Sequence, residues 1–138
     1  MEFELHPKLA ADCIPVCELP VSTLLLMNDA RYPWCILVPR VAGVRELHAL
    51  APAQGNQVWT EVMRVAAGLE ALTQALKMNV AALGNQVPQL HIHVIARNAS
   101  DAAWPGPVWG VGQATPYAGH AREALISRLR ERFGATAS

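Results

Sequence analysis

The sequence is short of charge, of aromatic residues and of paired cysteines, and each shortage removes a class of protein. Only 16% of its 138 residues are charged and 6% are aromatic. Lysine and arginine together number 11, as do aspartate and glutamate, so the formal net charge is zero. Such a chain is not built to find nucleic acid or anionic lipid by long-range attraction. The one basic concentration, Arg122, Arg128, Arg130 and Arg132, is diluted by Glu123 and Glu131 and reads as the solvated face of a helix. Three cysteines, an odd number, do not make a disulfide framework. The longest uncharged stretches, 78–96 and 102–121, are broken by polar residues, glycine and proline, so no bilayer-spanning segment is expected. The start, Met1-Glu2-Phe3-Glu4, lacks the basic region and apolar core of a signal peptide. These features predict a cytoplasmic protein with no nucleic-acid and no membrane partner.

What is present is apolar. Hydrophobic residues make up 52% of the chain, enough for one core, and no repeat or linker divides it, so residues 1–138 read as a single domain. A surface this poor in charge points to a covered face, most simply covered by a second copy of the chain, that is, a homodimer.

Along the chain, Asp12–Pro20 carries two prolines and reads as irregular. Leu24–Met27 and Trp34–Val38, the latter ended by Pro39, read as strands joined through the turn Asn28-Asp29-Ala30-Arg31-Tyr32-Pro33. Val58, Val62, Val65, Leu69, Leu72 and Leu76 then draw one apolar stripe along a helix of about six turns, with Gly55-Asn56 as its start. Two further strands, Asn79–Leu83 and Leu90–Ala96, flank Gly84-Asn85-Gln86-Val87-Pro88. Residues 98–119 read as a long loop holding Trp104, Trp109 and Tyr117, and long loops in compact domains are usually functional or covered by a partner. Ala121, Leu125, Leu129 and Phe133 mark a last helix, with Gly134 at its C′ position. The class is α+β with a largely antiparallel sheet.

In the strand Leu90–Ala96, Leu90, Ile92 and Val94 share one face and can pack on the long helix. Gln89, His91, His93 and Ile95 share the other. Two imidazoles two residues apart on one face suit three uses: ordinary sheet histidines, a pair of metal ligands, or a division into nucleophile and phosphate contact. The spacing alone leaves all three open. Cys35 lies in an apolar strand and reads as a small buried hydrophobe. His48 and His120 are isolated and read as surface or cap residues.

The run Gly84-Asn85-Gln86-Val87-Pro88-Gln89-Leu90-His91-Ile92-His93-Val94-Ile95-Ala96-Arg97 resembles the signature of the histidine triad (HIT) superfamily of nucleotide hydrolases and transferases. That signature is a Gly-Gln-x-Val element followed by His-φ-His-φ-His-φ-φ, where φ is apolar. The resemblance takes in Asn28-Asp29 ahead of Trp34–Pro39 and the long helix, about residues 20–101, with 102–138 as a C-terminal loop and helix. Asp101–Gly110 is similar to a feature of a bacterial branch, and the whole resembles diadenosine tetraphosphate hydrolases.

The resemblance implies a HIT-like fold and a role for each matched residue. His91, at the middle triad position, is the nucleophile that attacks an α-phosphorus and carries a covalent nucleotidyl intermediate. His93 contacts a phosphate oxygen. Gln89 stands where the first histidine belongs, and this is a departure: an amide can hydrogen-bond but cannot titrate. Gly84, Asn85 and Gln86 fall on the phosphate side, and Asn28 or Asp29 on the ribose. Tyr32 and Trp34 either line a base pocket or pack structurally. Some members carry a Cys/His zinc site; His6, Cys13 and Cys17 offer a pair spaced one residue wider than usual and no fourth ligand, so no metal site is assigned. No resident cofactor is implied, though magnesium commonly accompanies a polyphosphate substrate. The expected reaction is hydrolysis of a dinucleoside polyphosphate or an adenylylated amine. The alternatives are a nucleotide-binding protein with little turnover, because of Gln89, and a metal module built on His91 and His93.

Overall fold

The computed structural model describes residues 2–134. A six-residue helix, α1 (Pro7–Asp12), leads directly into strand β1 (Cys13–Glu18), followed by β2 (Ser22–Met27) and β3 (Trp34–Pro39). A 3-10 turn at Leu47–Ala49 precedes the long helix α2 (Pro52–Thr73), and β4 (Lys77–Ala81), β5 (Ile92–Arg97) and α3 (Gly119–Phe133) complete the chain. The sheet is antiparallel throughout, in the order β1-β2-β3-β5-β4. The fold is α+β, as the pattern predicts.

Both faces of the sheet are covered, which is why β3 is a continuous apolar run buried at every position. On one face Leu24, Leu37, Ile92 and Val94 meet Val58, Val62, Val65 and Leu69 of α2 and Leu129 and Phe133 of α3. Gly68 lets α3 seat there: a Cβ on it would lie 2.6 Å from the Phe133 ring. On the other face Leu25, Trp34, Ile36 and Ile95 form a second core with Leu9, Tyr32 and Val108.

Several boundaries differ from the sequence pattern. Helix α2 starts at Pro52, where proline lacks only an N–H that has no helical partner anyway, and Gln54 reaches back to accept the Ala51 N–H at 3.0 Å. It ends at Thr73, so Leu76 falls beyond it and is exposed. On α3, Ile126 is buried and Ala121 is exposed, and Gly134 caps the helix in the right-handed region rather than the left. Asp12–Pro20 is not irregular. Most of it is edge strand β1, whose register shifts between Pro15 and Cys17. A bulge at an edge tolerates a proline. The carbonyls of Pro15 and Val16 accept hydrogen bonds from Arg130, and Arg128 bonds the Leu72 carbonyl. The basic run on α3 thus joins helix to sheet as well as facing water.

Candidate active site

His91 immediately precedes β5 and His93 lies within it, both on the face opposite α2 and both buried. Their ring centroids are 4.9 Å apart. Each ring has one nitrogen fixed by a neighbour that can act in one direction only. His91 Nδ1 lies 2.7 Å from the Gln89 carbonyl oxygen, which can only accept, so Nδ1 carries the hydrogen and Nε2 the lone pair. Trp34 Nε1–H donates to His93 Nδ1 at 3.0 Å, and an indole can only donate, so His93 carries its hydrogen on Nε2. Two neighbouring imidazoles therefore have opposite tautomers, one offering a lone pair and the other a donor. Burial, with His91 as a lesser influence, pushes the His93 pKa down to about 3, so this ring stays neutral at ordinary pH.

The pair opens on a cleft of ≈ 320 Å³. Gly84, Asn85 and Gln86 of the β4–β5 connection form one side, and Gly84 has a φ of +78°, a conformation that favours glycine. Trp109 lies edge-on to His93 with centroids 5.0 Å apart. The wall nearest the N-terminus comes from α1, through Lys8, Leu9 and Asp12. The loop carrying Trp109 is organised by a buried ion pair. Arg97 donates to Asp101 at 2.7 and 3.0 Å, to Asn79 at 2.8 Å and to the Gly106 carbonyl at 2.8 Å. Asp101 also accepts backbone N–H groups of Asn98, Ala103 and Trp104. The Arg97 hydrogen bond holds the Asp101 carboxyl down at about 2.

The sequence pattern of the HIT domain family matches residues 8–100. The chain belongs to the histidine triad family. Among solved HIT structures, a histidine triad protein from Marinobacter aquaeolei VT8 is 43% identical over 99% of this chain and 100% of its own, with a TM-score of 0.96. Others from Bradyrhizobium japonicum and Sinorhizobium meliloti 1021 are 44% and 45% identical, with TM-scores of 0.94 and 0.92. The first covers 96% of this chain and 99% of its own; the second covers 94% and 96%. No curated protein matches. HIT proteins generally bind or hydrolyse nucleotides.

Within this HIT domain, the residues assigned from the signature separate into two groups. His91, His93, Gly84, Asn85 and Gln86 line one cleft. Gln89, at the first triad position, does not line this cleft but a smaller one on another side of His91, and its side-chain amide is engaged by the N-terminal segment. Its Oε1 accepts the His6 N–H at 2.9 Å and its Nε2 donates to the Glu4 carbonyl at 2.7 Å. Asn28 and Asp29 lie beneath the chain at 111–117. Asn28 Oδ1 accepts the Tyr117 N–H, and Asp29 binds Arg31 through both carboxylate oxygens and accepts the Thr115 N–H. Burial raises the Asp29 pKa, but its hydrogen bonds from Arg31 and Thr115 outweigh that and lower it.

Trp34 serves His93 directly, Tyr32 is buried beside it, and Trp104 lies against the Arg97 guanidinium. His48 lines a smaller cleft on another side of His91. Cys13 and Cys17 face opposite cores, because the bulge in β1 reverses the alternation between them, so they cannot share a metal. Burial pushes the Cys13 thiol up to about 12 and raises Cys17 as well, away from the thiolate a zinc site needs. Among the described residues no helix is long and apolar enough to cross a membrane.

The contribution of α1 was not visible in the sequence, where its sole local signal is Pro7 at the first helical position. Asp101, four residues after Arg97, was the available signal for the loop anchor.

Proposed function

We propose that this HIT protein hydrolyses a nucleoside phosphate anhydride or phosphoramidate, with His91 as nucleophile. The observation that carries the reading is the tautomer of His91: its Nδ1–H is held by the Gln89 carbonyl, leaving the Nε2 lone pair for a ligand in the cleft. In the first step a bond forms from Nε2 to the α-phosphorus, and the leaving group departs with the electron pair of the bond that breaks. A phosphate leaves as the anion; an amine takes up a proton from solvent. Water then attacks the nucleotidyl-histidine, releasing the nucleoside monophosphate and restoring the imidazole. His93 Nε2–H, with the amides of Asn85 and Gln86, would hold the phosphate oxygens as charge builds on them. Any magnesium would arrive with a polyphosphate substrate.

A second reading, nucleotide binding with little turnover, draws support from Gln89, whose amide is committed to the N-terminal segment. The metal-module alternative is weakened because Trp34 occupies His93 Nδ1 and leaves a proton, not a lone pair, on Nε2. Diadenosine tetraphosphate and adenosine phosphoramidate, followed by AMP release, separate the first two. The expected result is turnover in the wild type and a loss of about 10³-fold or more in His91→Ala. AMP binding without release by the wild type would move the binding reading ahead.

A homodimer belongs to the same proposal. Among the described residues strand β4 pairs with β5 alone and leaves its outer edge open, with Val80 on it and Leu76 and Leu83 at its ends exposed, as are Trp59 and Met63 on α2. Sedimentation of the wild type against Val80→Lys tests whether that edge is covered.

A further inference from the structure

Gln89 joins two parts of the molecule that lie more than eighty residues apart in sequence. Its backbone carbonyl fixes the tautomer of His91, while its side chain grips the backbone of Glu4 and His6 at 2.7 and 2.9 Å. His6 in turn caps α1, its Nδ1 accepting the Lys8 N–H at 3.0 Å, and Lys8 and Leu9 of that helix line the cleft. A path of hydrogen bonds, linked through the covalent skeletons of Gln89 and His6, therefore runs from the nucleophile's orienting carbonyl to the far wall of the site.

We propose that Gln89 is a positioning residue that tethers the N-terminal arm, residues 4–6, so that α1 forms the wall closing over a nucleoside monophosphate moiety in the cleft. This rests on the cleft being the nucleotide site. A glutamine suits the task because its acceptor oxygen and donor NH2 sit side by side on one flexible stem, matching one backbone N–H and one backbone C=O. A neutral imidazole also has an acceptor and a donor, but they point in diverging directions from a rigid ring. The apolar side chains of Phe3 and Leu5 pack on the same core, so the arm has a second attachment. The tether sets its register rather than holding it alone.

The test uses Gln89→Met, which keeps length and removes both bonds, together with His6→Pro and His6→Ala. His6 has φ −56° and ψ 135°, a backbone conformation proline adopts, so His6→Pro removes the N–H that Gln89 accepts. His6→Ala removes the cap to Lys8 and keeps that N–H. Hydrogen–deuterium exchange over residues 2–12 is read with and without AMP, beside KM and kcat for diadenosine tetraphosphate.

The expected result is faster exchange in the arm for Gln89→Met and His6→Pro, and AMP protection of residues 7–12 that weakens in both. KM should rise about tenfold, the scale of one or two lost hydrogen bonds, with a smaller change in kcat. His6→Ala should show a lesser effect than His6→Pro. Unchanged exchange in the arm overturns the tether. Faster exchange with unchanged AMP affinity and KM overturns the role in the cleft wall. A wild type that neither binds AMP nor cleaves the substrate overturns the nucleotide reading and this closure with it, while exchange without ligand still reports the tether separately.

Discussion

On the α2 side of the sheet, Ile92 and Val94 of β5 are held by area: they pack among valines and leucines of α2, and no single contact decides the arrangement. On the other side His93 and Arg97 of the same strand, with His91 just before it, are all buried and are held by directed hydrogen bonds. Alternation along one strand thus supplies two surfaces governed by different physics. Apolar packing degrades gradually as atoms are removed, whereas a buried polar network fails when one partner goes. The α2 face therefore carries stability without touching the site, whereas on the histidine face the same residues serve both stability and site geometry, and substitutions should separate the two cases.

Asp101→Ala breaks the comparison most severely. It leaves the Arg97 guanidinium buried without its carboxylate, which typically costs about 3–5 kcal/mol, and it frees the loop that brings Trp109 to His93. Thermal or denaturant unfolding should record that loss, and activity of the remaining folded protein should fall as well. Leu69→Ala, deep in the opposite core, is expected to cost about 2–5 kcal/mol, yet the folded fraction should keep the wild-type kcat. Equal activity losses in both variants would show that the two faces are not separable.

How far the sequence revealed this division follows from the range of each interaction. The alternation in β5 and the stripe from Val58 to Leu69 were legible because helix and strand periods show in a short window. Asp12–Pro20 was not, since a bulge shifts the alternation and Pro15 tolerates an exposed edge position that local composition does not reveal. Gln89 was placed beside the histidines by extending the strand's alternation back to it. The strand begins only at Ile92, and the amide is drawn instead to backbone groups of Glu4 and His6. Asn28 and Asp29 likewise kept their turn position but engage the chain some 86–89 residues later, a pairing no local pattern contains. The sequence placed the nucleophile candidate and the Gly84–Gln86 side of the cleft; it did not reveal the wall from α1.

A subtler probe removes a single proton from the histidine face. Trp34→Phe keeps an aromatic ring but loses the N–H that fixes His93, so Nδ1 and Nε2 compete for the hydrogen. The expected fall in kcat is about tenfold to a hundredfold, the scale on which groups that orient a functional ligand act. Nitrogen chemical shifts of His93 should change from those of the Nε2–H tautomer to a mixture. A retained tautomer in the variant would mean that burial, not the indole, selects it.

A last effect is the pH dependence of stability, gradual within any one pH unit, and its sign is fixed by the direction of the His93 shift. The folded chain holds this imidazole at about 3 against an ordinary 6.5, so between those values the unfolded chain binds a proton that the folded chain does not. Stability therefore rises with pH across that window and falls as pH drops from 6.5 towards 3, with a slope of at most about 1.4 kcal/mol per pH unit. Asp101, lowered from 3.8 to about 2, adds a loss of the same sign as pH falls through that interval. Urea unfolding at pH 7.0, 5.5 and 4.5 should show the wild type losing stability faster than His93→Asn, which has no proton to gain at that position. Parallel profiles would place the acid sensitivity outside the histidine face, and would remove the desolvated neutral imidazole from the account of how that face is held.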